Sequence, residues 1–571
     1  MKRYVKNIIC VILIVSMLGL LCFTINKGMN NDNQPNMKES LDNGMESPEK
    51  NDSKMEEPPE KPDGSEMEEP PEKPDESNDS KMPSQNGNKQ NISVKYYVIV
   101  GITSILISII LSYLIISNFN KKSFKETFTN KDKIIIYVLF TIIVTSLLIG
   151  LSYIVLNQKT TLNEPNNMNS NNMNSNNNDY KATLEIKESK TIENDDYDNV
   201  TADENTILVS GDINVNITNV DITKSGDSSG GDNTSFYGTN SAIIAKDKAI
   251  LNIDNVTINT NGTGANGVFS YGGSASTNNT SSDGTSINIS NSTITTNKDN
   301  SGGIMTTGGG ITNASNLSII TYGISSAAIR SDRGGGTVNV DGGTYETNGK
   351  GSPSIYSTAN ITVKNAKLIS NTSEGIVIEG KNSVTIENTE LVDNNVELNG
   401  QSTTYKNIFL YQSMSGDAAE GSSTFTSNNS KITTNNGDTF YVTNTNAIIN
   451  LNNNEIINND ENGNLLRVQA DSWGKEGSNG GSVSFNLENQ DVEGNIVVDE
   501  ISSLEFNLKN SNYEGIINSN NEGKITLTID ETSTFKLMGD CYINELINED
   551  SSNNNIDYNG YKLYVNGTAI N

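Results

Sequence analysis

Short segments in which apolar and polar residues alternate recur through most of residues 213–571. In Ile361-Thr-Val363 and Val384-Thr-Ile386, every second side chain is apolar, which is the pattern of a β-strand with one buried face. Asn or Gly ends each strand, a second short strand follows, and a third apolar patch, such as residues 375–378, completes the period. Three consecutive segments begin at residues 338, 361 and 384, an even spacing of 23 residues.

Three short strands in each period predict one turn of a single-stranded parallel β-helix. Each turn would rise by one strand spacing, about 4.8 Å, and one turn cannot bury its own apolar stripe, so the turns must stack. We therefore predict an all-β solenoid over residues 180–571, with residues 181–212 as its N-terminal cap. Asn side chains in successive turns are expected to form amide ladders. Disorder and a β-sandwich are the alternatives, but the sustained alternation disfavours the first and the regular period the second.

Three apolar stretches, residues 8–23, 96–116 and 134–156, precede the repeats. The second and third have about the 20 uncharged residues that a membrane-spanning helix needs. The loop between them contains five lysines, and basic loops stay in the cytoplasm. We expect three transmembrane helices in a bacterial cell membrane, with the C-terminal domain extracellular. The first stretch resembles a signal peptide, but no small-x-small cleavage site follows it, which favours a retained anchor.

Two polar segments are predicted to be disordered linkers. Residues 29–93 are acidic and rich in proline and contain MEEPPEKPD twice, at 55 and 67, a composition that gives an extended chain rather than a core. Residues 157–179 contain MNSNNMNSNNN. The predicted order is an anchor at 1–28, a linker at 29–93, two spans with a lysine-rich loop at 94–156, a tether at 157–179 and the solenoid at 180–571.

Charge and composition exclude several classes of function. The 69 acidic and 39 basic residues give a formal net charge of -30, which argues against binding to nucleic acid. The chain has no histidine, so His-based triads and His metal sites are excluded. Of the three cysteines only Cys541 lies in the predicted solenoid, which therefore has no internal disulfide.

Residues 326–363, SAAIRSDRGGGTVNVDGGTYETNGKGSPSIYSTANITV, resemble clostridial cell-surface proteins of the right-handed parallel β-helix class. The resemblance covers residues 200–571. It implies an architecture like that of pectate lyases and of carbohydrate-binding β-helix proteins. It does not identify a function, because this fold carries lyases, hydrolases, epimerases, adhesins and phage spikes.

A charged cluster, Arg330-Ser-Asp332-Arg333, is the first candidate site. The resemblance implies a lyase in which an Arg or Lys base acts beside calcium held by acidic residues. In a strand Arg330 and Asp332 point to one side and Arg333 to the other, and an arginine there would bind a uronate carboxylate in bidentate fashion. The alternative is an ion pair that fixes the glycine turn at 334–336. Asp332 and Asp341 are the candidate calcium ligands, since calcium prefers such oxygens.

Aromatic side chains are the second candidate site, because a solenoid can align rings on one face for stacking against sugars. The candidates are Tyr322, Tyr345, Tyr356 and Trp473. The alternatives are packing in or against the coil for the tyrosines and a local plug for Trp473. A glycosidase would need two carboxylates beside a sugar, for which Glu374, Glu379 and Glu387 are candidates, although acidic residues are too abundant to single out a pair.

The sequence favours a surface protein that binds a polysaccharide or glycan without catalysis, and calcium is the one candidate cofactor. The absence of histidine and of any second compact charged cluster favours binding over catalysis. A polysaccharide lyase centred on Arg330, Asp332 and Arg333 is one alternative. A purely structural stalk or adhesin is the other.

Overall fold

The structure is a computed structural model that describes residues 180–229, 231–273, 281–400, 402–413 and 415–571. The three predicted transmembrane helices and both predicted linkers lie outside these residues. Within the described part of the chain, no helix has both the length and the apolar character needed to cross a bilayer.

The predicted alternation determines which side chains of each strand are buried. In the segment Asn360–Lys364, the apolar Ile361 and Val363 are buried, whereas Asn360 and Lys364 are exposed. The same two-residue period recurs in strand after strand, because successive side chains of a β-strand point to opposite faces.

A first ladder of parallel strands runs the length of the described region. Its strands are β2 (Lys190–Asn199), β4 (Asn214–Lys224), β6 (Ile250–Asp254), β9 (Ser286–Ser290), β12 (Gly310–Thr321), β14 (Gly336–Thr347), β16 (Asn360–Lys364), β19 (Ser383–Glu387), β22 (Ser422–Asn428), β25 (Asn446–Asn452), β28 (Ser482–Glu488), β31 (Ser503–Lys509), β33 (Lys524–Ile529) and β36 (Glu545–Asn548).

A second ladder is formed by the C-terminal halves of the long strands β2, β4, β12 and β14 together with shorter strands. These are β7 (Thr257–Thr260), β10 (Thr293–Thr296), β17 (Lys367–Ser370), β20 (Glu390–Asp393), β23 (Lys431–Thr434) and β26 (Glu455–Asn458). A separate parallel sheet contains β29 (Asp491–Glu493), β32 (Asn512–Gly515), β34 (Thr534–Leu537) and β37 (Ile556–Asp557).

A third ladder contains twelve strands that pair in their order along the chain. They are β1 (Ala182–Ile186), β3 (Asn205–Ser210), β5 (Ile243–Lys246), β8 (Val268–Tyr271), β11 (Ile304–Thr307), β13 (Ile329–Ser331), β15 (Ile355–Ser357), β18 (Ile376–Glu379), β21 (Lys406–Tyr411), β24 (Asp438–Thr443), β27 (Leu466–Val468) and β30 (Ile496–Val498).

The remaining elements are a short helix and a small sheet near residue 571. The helix α1 (Asp232–Tyr237) follows β4. In the small sheet, β35 (Cys541–Ile543) pairs in parallel with β38 (Leu563–Val565), which pairs antiparallel with β39 (Thr568–Ala569). Every other strand pairing of the described residues is parallel, which confirms the predicted all-β, repeating parallel architecture.

The spacing between successive turns varies because loops of different lengths are inserted. Asn360 lies opposite Ser383, 23 residues later along the chain. Asn394 and Asn435, in contrast, are hydrogen-bonded across adjacent turns although they are 41 residues apart. The first three strands, within the segment predicted as a cap, already pair in the same parallel way as later turns.

Asparagine ladders connect the turns, as predicted. On the outer face of the first ladder a column of amides donates hydrogen bonds from turn to turn at 2.9 Å, namely Asn216, Asn252, Asn288, Asn313 and Asn339. A second column occupies the corner between the first two ladders, where Asn219 and Asn255 have positive φ angles of 54° and 53°. Asn tolerates this left-handed conformation better than most residues.

The interior of the solenoid is a continuous apolar core. In its C-terminal half, buried aromatic rings contact one another in series, some stacked and others tilted or edge to face, with centroids 5.1 to 5.9 Å apart: Phe425, Phe440, Phe485, Phe506, Tyr513 and Phe535. Tyr345 is part of the same core and has no exposed surface.

Candidate functional site

The outer face of the third ladder carries an unusual column of residues. The strands are in register, so Arg330 lies beside Tyr356, Tyr356 beside Val377, and Val377 beside Phe409. The flanking residues of these strands, such as Ile376 and Ile378, point into the core, so the column points outward.

Loops cover this column and turn it into a pocket. Val377 and Phe409 are only 6% and 3% exposed although they face outward. The loop between β27 and β28 places Trp473 against Tyr411, with the two rings edge to face and their centroids 4.9 Å apart. Tyr411 in turn stacks on Phe409 at 4.4 Å.

The resulting cavity has a volume of about 200 Å³, and we call it the aromatic pocket. Its aromatic walls are Tyr356, Phe409, Tyr411 and Trp473, and its charged lining residues are Arg330 and Glu374. Two of the four predicted sugar-binding aromatics, and one residue of the predicted charged cluster, therefore come together in one place.

Arg330 is held on one side of the pocket by three contacts. Its guanidinium donates to the Ser325 carbonyl at 2.8 Å and to Oδ2 of Asp332 at 2.9 Å, and it lies 5.8 Å from the ring centroid of Tyr356. Asp332 is only 4% exposed. Its burial raises its pKa to about 7, although the neighbouring Arg330 charge opposes this shift.

Arg333 lies in the turn after β13 and points away from this group. Its Nε donates to Asp417 at 2.6 Å and its guanidinium lies 4.1 Å from the ring centroid of Phe236. The backbone carbonyl of Asp332 accepts a hydrogen bond from Gly335 at 3.0 Å. The predicted ion pair beside the glycine turn is thus present between Arg330 and Asp332. Arg333 instead pairs with Asp417, so the two arginines of the cluster have different partners.

Glu379 anchors two of the aromatic walls. Its carboxylate accepts hydrogen bonds from the hydroxyls of Tyr356 at 2.5 Å and Tyr411 at 3.1 Å, and from Ser413 and Ser415. Burial raises the pKa of Glu379 and the pKa values of both tyrosines. These contacts fix the orientation of the two rings before a ligand binds. Rings that are already fixed lose less conformational entropy on binding than mobile side chains do.

Lys406 is a functional candidate that the sequence analysis missed. Its side chain is fully buried, and its ammonium lies 4.4 Å from the ring centroids of both Phe409 and Tyr441. It donates to the Ser402 hydroxyl at 3.2 Å, and burial lowers its pKa. The only signal in the sequence is a lysine at the start of the strand, two residues before the apolar and aromatic residues 408–411.

Two of the predicted aromatic residues lie elsewhere. Tyr345 belongs to the core and its hydroxyl donates to the Gly342 carbonyl at 3.3 Å, so the expectation that it stacks on a surface ligand is corrected in favour of packing within the coil. Tyr322 is 51% exposed and lines a separate open groove with Asp299 and Lys350.

The candidate calcium ligands do not form a cluster. Asp332 is bound to Arg330, and Asp341 accepts a hydrogen bond from Asn365 at 2.7 Å on the outside of the first ladder. Among the described residues, no group of three or more acidic or cysteine side chains is placed to hold a metal ion. Of the glutamates considered for hydrolysis, Glu374 alone lines the aromatic pocket.

A polar groove of about 790 Å³ lies along the first ladder. The asparagine column lines it together with carboxylates such as Asp254 and Asp341. It is broader and more open to solvent than the aromatic pocket and has no aromatic wall, so it lacks a face for stacking.

Comparison of the chain with protein-family models, with curated proteins and with solved structures gives no significant match. The geometry of the aromatic pocket is therefore the main basis for proposing a function.

Proposed function

We propose that this chain is a membrane-anchored bacterial surface protein whose solenoid binds a polysaccharide or surface glycan without catalysis. The observation that carries the proposal is the aromatic pocket, in which four rings and two charged side chains surround one small cavity. Aromatic walls with a few fixed polar groups are typical of ligand sites. The resemblance to clostridial right-handed β-helix proteins of carbohydrate-binding type supports the same proposal.

A buried polar group on the pocket wall also supports binding. The indole N–H of Trp473 is buried and has no hydrogen-bond partner among the described residues. Buried donors are normally paired, and one that lacks a partner calls for an explanation. A sugar hydroxyl that entered the pocket would accept this hydrogen bond.

A polysaccharide lyase is the second candidate, because Arg330 and Asp332 lie together beside the pocket. Arg330, however, donates to both Asp332 and Ser325, and these contacts favour the charged guanidinium. A lyase base must instead lose its proton, which is already difficult for arginine. The contacts of Arg330 therefore favour a binding role.

The test is retention of the full-length protein on a panel of insoluble and soluble polysaccharides, with calcium and with a chelator, while ultraviolet absorbance is recorded. We expect retention without an increase in absorbance, and loss of retention in the chelator would add calcium to the site. Unsaturated uronate products that vanish in Arg330→Ala would establish a lyase. Neither retention nor product would leave a structural stalk.

The proposed location has its own test. Protease treatment of intact cells should release fragments of residues 180–571, because a lysine-rich loop retained in the cytoplasm would leave these residues outside. Complete protection in intact cells, with cleavage after lysis, would contradict the extracellular location.

A further inference from the structure

The charges around the aromatic pocket leave an excess of carboxylates. Arg330 is paired with Asp332 at 2.9 Å, which leaves Glu374 as the other charged lining residue. Glu374 is only 3% exposed, and its Oε2 accepts a hydrogen bond from the Ser373 hydroxyl at 2.5 Å. A buried carboxylate is costly unless hydrogen-bond donors or a cation meet it.

The basic side chains of Lys406 and Arg467, near the pocket, do not balance the excess of acidic side chains. Lys406 is surrounded by Glu374, Asp471 and Asp438, each of which favours its charged form. Asp438 is itself paired with Arg467 at 2.5 Å. The acidic side chains in and around the pocket therefore outnumber the basic ones.

The same aromatic cluster already holds a cation within the protein. The ammonium of Lys406 lies 4.4 Å from the ring centroids of Phe409 and Tyr441, a distance at which the ring faces attract positive charge. Tyr356, Tyr411 and Trp473 line the open side of this cluster.

We infer that the aromatic pocket recognises an ammonium group carried by the glycan, with Glu374 as its counter-ion and the pocket rings as its walls. This inference rests on the proposed function and specifies its ligand. A volume of about 200 Å³ suits a single substituent or a single sugar ring. An amino sugar and a choline substituent both carry the required group.

The single tryptophan of the chain provides the measurement. Because Trp473 is the only tryptophan and lines the pocket, its emission reports on binding at this position in the full-length protein. Glucosamine and choline are titrated at pH 7, where most of the glucosamine carries an ammonium group, and at physiological salt, which screens non-specific attraction to the net negative protein. N-Acetylglucosamine and glucose are the neutral counterparts of glucosamine, the uncharged tert-butyl isostere is the neutral counterpart of choline, and glucuronate is the anionic sugar.

We expect at least one ammonium ligand to bind roughly ten-fold more tightly than its neutral counterpart, as a cation–π site with a counter-ion predicts. Glucosamine alone would identify an amino sugar, and choline alone a choline substituent. The inference would be overturned if neither ammonium ligand gave a response, or if each ammonium ligand bound no more tightly than its neutral counterpart. Retention on neutral polysaccharides would still support the proposed function in that case, so the two failures are distinguishable.

A pair of variants locates the charge. Glu374→Gln keeps the shape of the side chain and should weaken ammonium binding about ten-fold, with circular dichroism used to show that the variant is folded. The matched control is Glu387→Gln, which removes a glutamate of the first ladder that pairs with Lys364 at 2.9 Å and should not change binding. Equal losses in both variants would show that only the overall negative charge attracts the ligand, and would overturn the inference.

Discussion

Buried carboxylates are the most informative single residues of this solenoid. Asp393 points into the interior from the end of β20, and both of its carboxylate oxygens are buried. Burial raises its pKa well above the ordinary value. Such a group destabilises the folded state whenever the pH favours its ionisation in the unfolded chain.

Asp393→Asn should stabilise the protein at pH 8 by about 1–3 kcal/mol, because the neutral amide avoids the cost of burying a carboxyl group. Denaturant unfolding of both proteins measures the difference. Asp212→Asn, at an exposed position, is the control and should change stability little. A loss of stability in Asp393→Asn would mean that the carboxylate has a stabilising partner.

Asp332 should make stability depend on pH. Its pKa is about 7 in the folded protein against an ordinary value of 3.8, so the folded state binds more protons between these values. The contribution of Asp332 to stability is therefore complete below pH 3.8 and is lost as the pH rises through about 7. In Asp332→Asn the unfolding free energy should fall less steeply from pH 4 to pH 7. An unchanged slope would contradict the raised pKa.

Strand parity decides which residues of the site could be predicted. Ile355 faces the core, so Tyr356 must face outward, and the same rule places Arg330 outward next to the buried Ile329. Tyr345 and Thr347 are two residues apart in β14, so both side chains point into the core. The alternation of each strand therefore distinguishes the outward Tyr356 from the inward Tyr345.

The loops could not be predicted in the same way. Trp473 reaches Tyr411 only because the loop after β27 folds back over the third ladder, and the burial of Lys406 depends on neighbouring turns. Alternation specifies strands and their buried faces, but loop conformation depends on contacts between residues distant in sequence. The repeating parallel architecture was therefore predictable, whereas the closed pocket was not.

At the scale of the element, the asparagine column should contribute measurably to the stacking of turns. Asn288 donates to Asn252 and accepts from Asn313, both at 2.9 Å. Asn288→Ala removes both hydrogen bonds and should cost about 1–2 kcal/mol of unfolding free energy. Thr362→Ala is the matched control in the same register column. Equal effects of the two substitutions would show that the ladder bonds add nothing.

At the scale of the whole molecule, the stacked aromatic core should determine stability across many turns. Phe485 lies between Phe440 and Phe506, with ring centroids 5.8 and 5.3 Å away. Phe485→Ala should cost about 3–5 kcal/mol, because it leaves a cavity in a fully buried stack. Tyr322→Ala, at an exposed ring, should cost less than about 0.5 kcal/mol. A similarly small cost in Phe485→Ala would contradict a continuous core.

A solenoid of stacked turns can be rigid along its length and still carry one specialised site. The core and the amide ladders continue through the turns on either side of the aromatic pocket, so the loops that close the pocket rest on a fixed scaffold. Sites held by such scaffolds keep their geometry without a ligand, which is consistent with binding as the proposed activity.

The most direct test of this account is retention of Trp473→Ala on the polysaccharides that retain the unaltered protein, with Tyr322→Ala as the control. The two variants each remove one large ring, but only Trp473 lines the aromatic pocket. We expect Trp473→Ala to lose retention and Tyr322→Ala to keep it, with both proteins unfolding at nearly the same temperature. Full retention of Trp473→Ala would contradict the claim that the aromatic pocket binds the glycan.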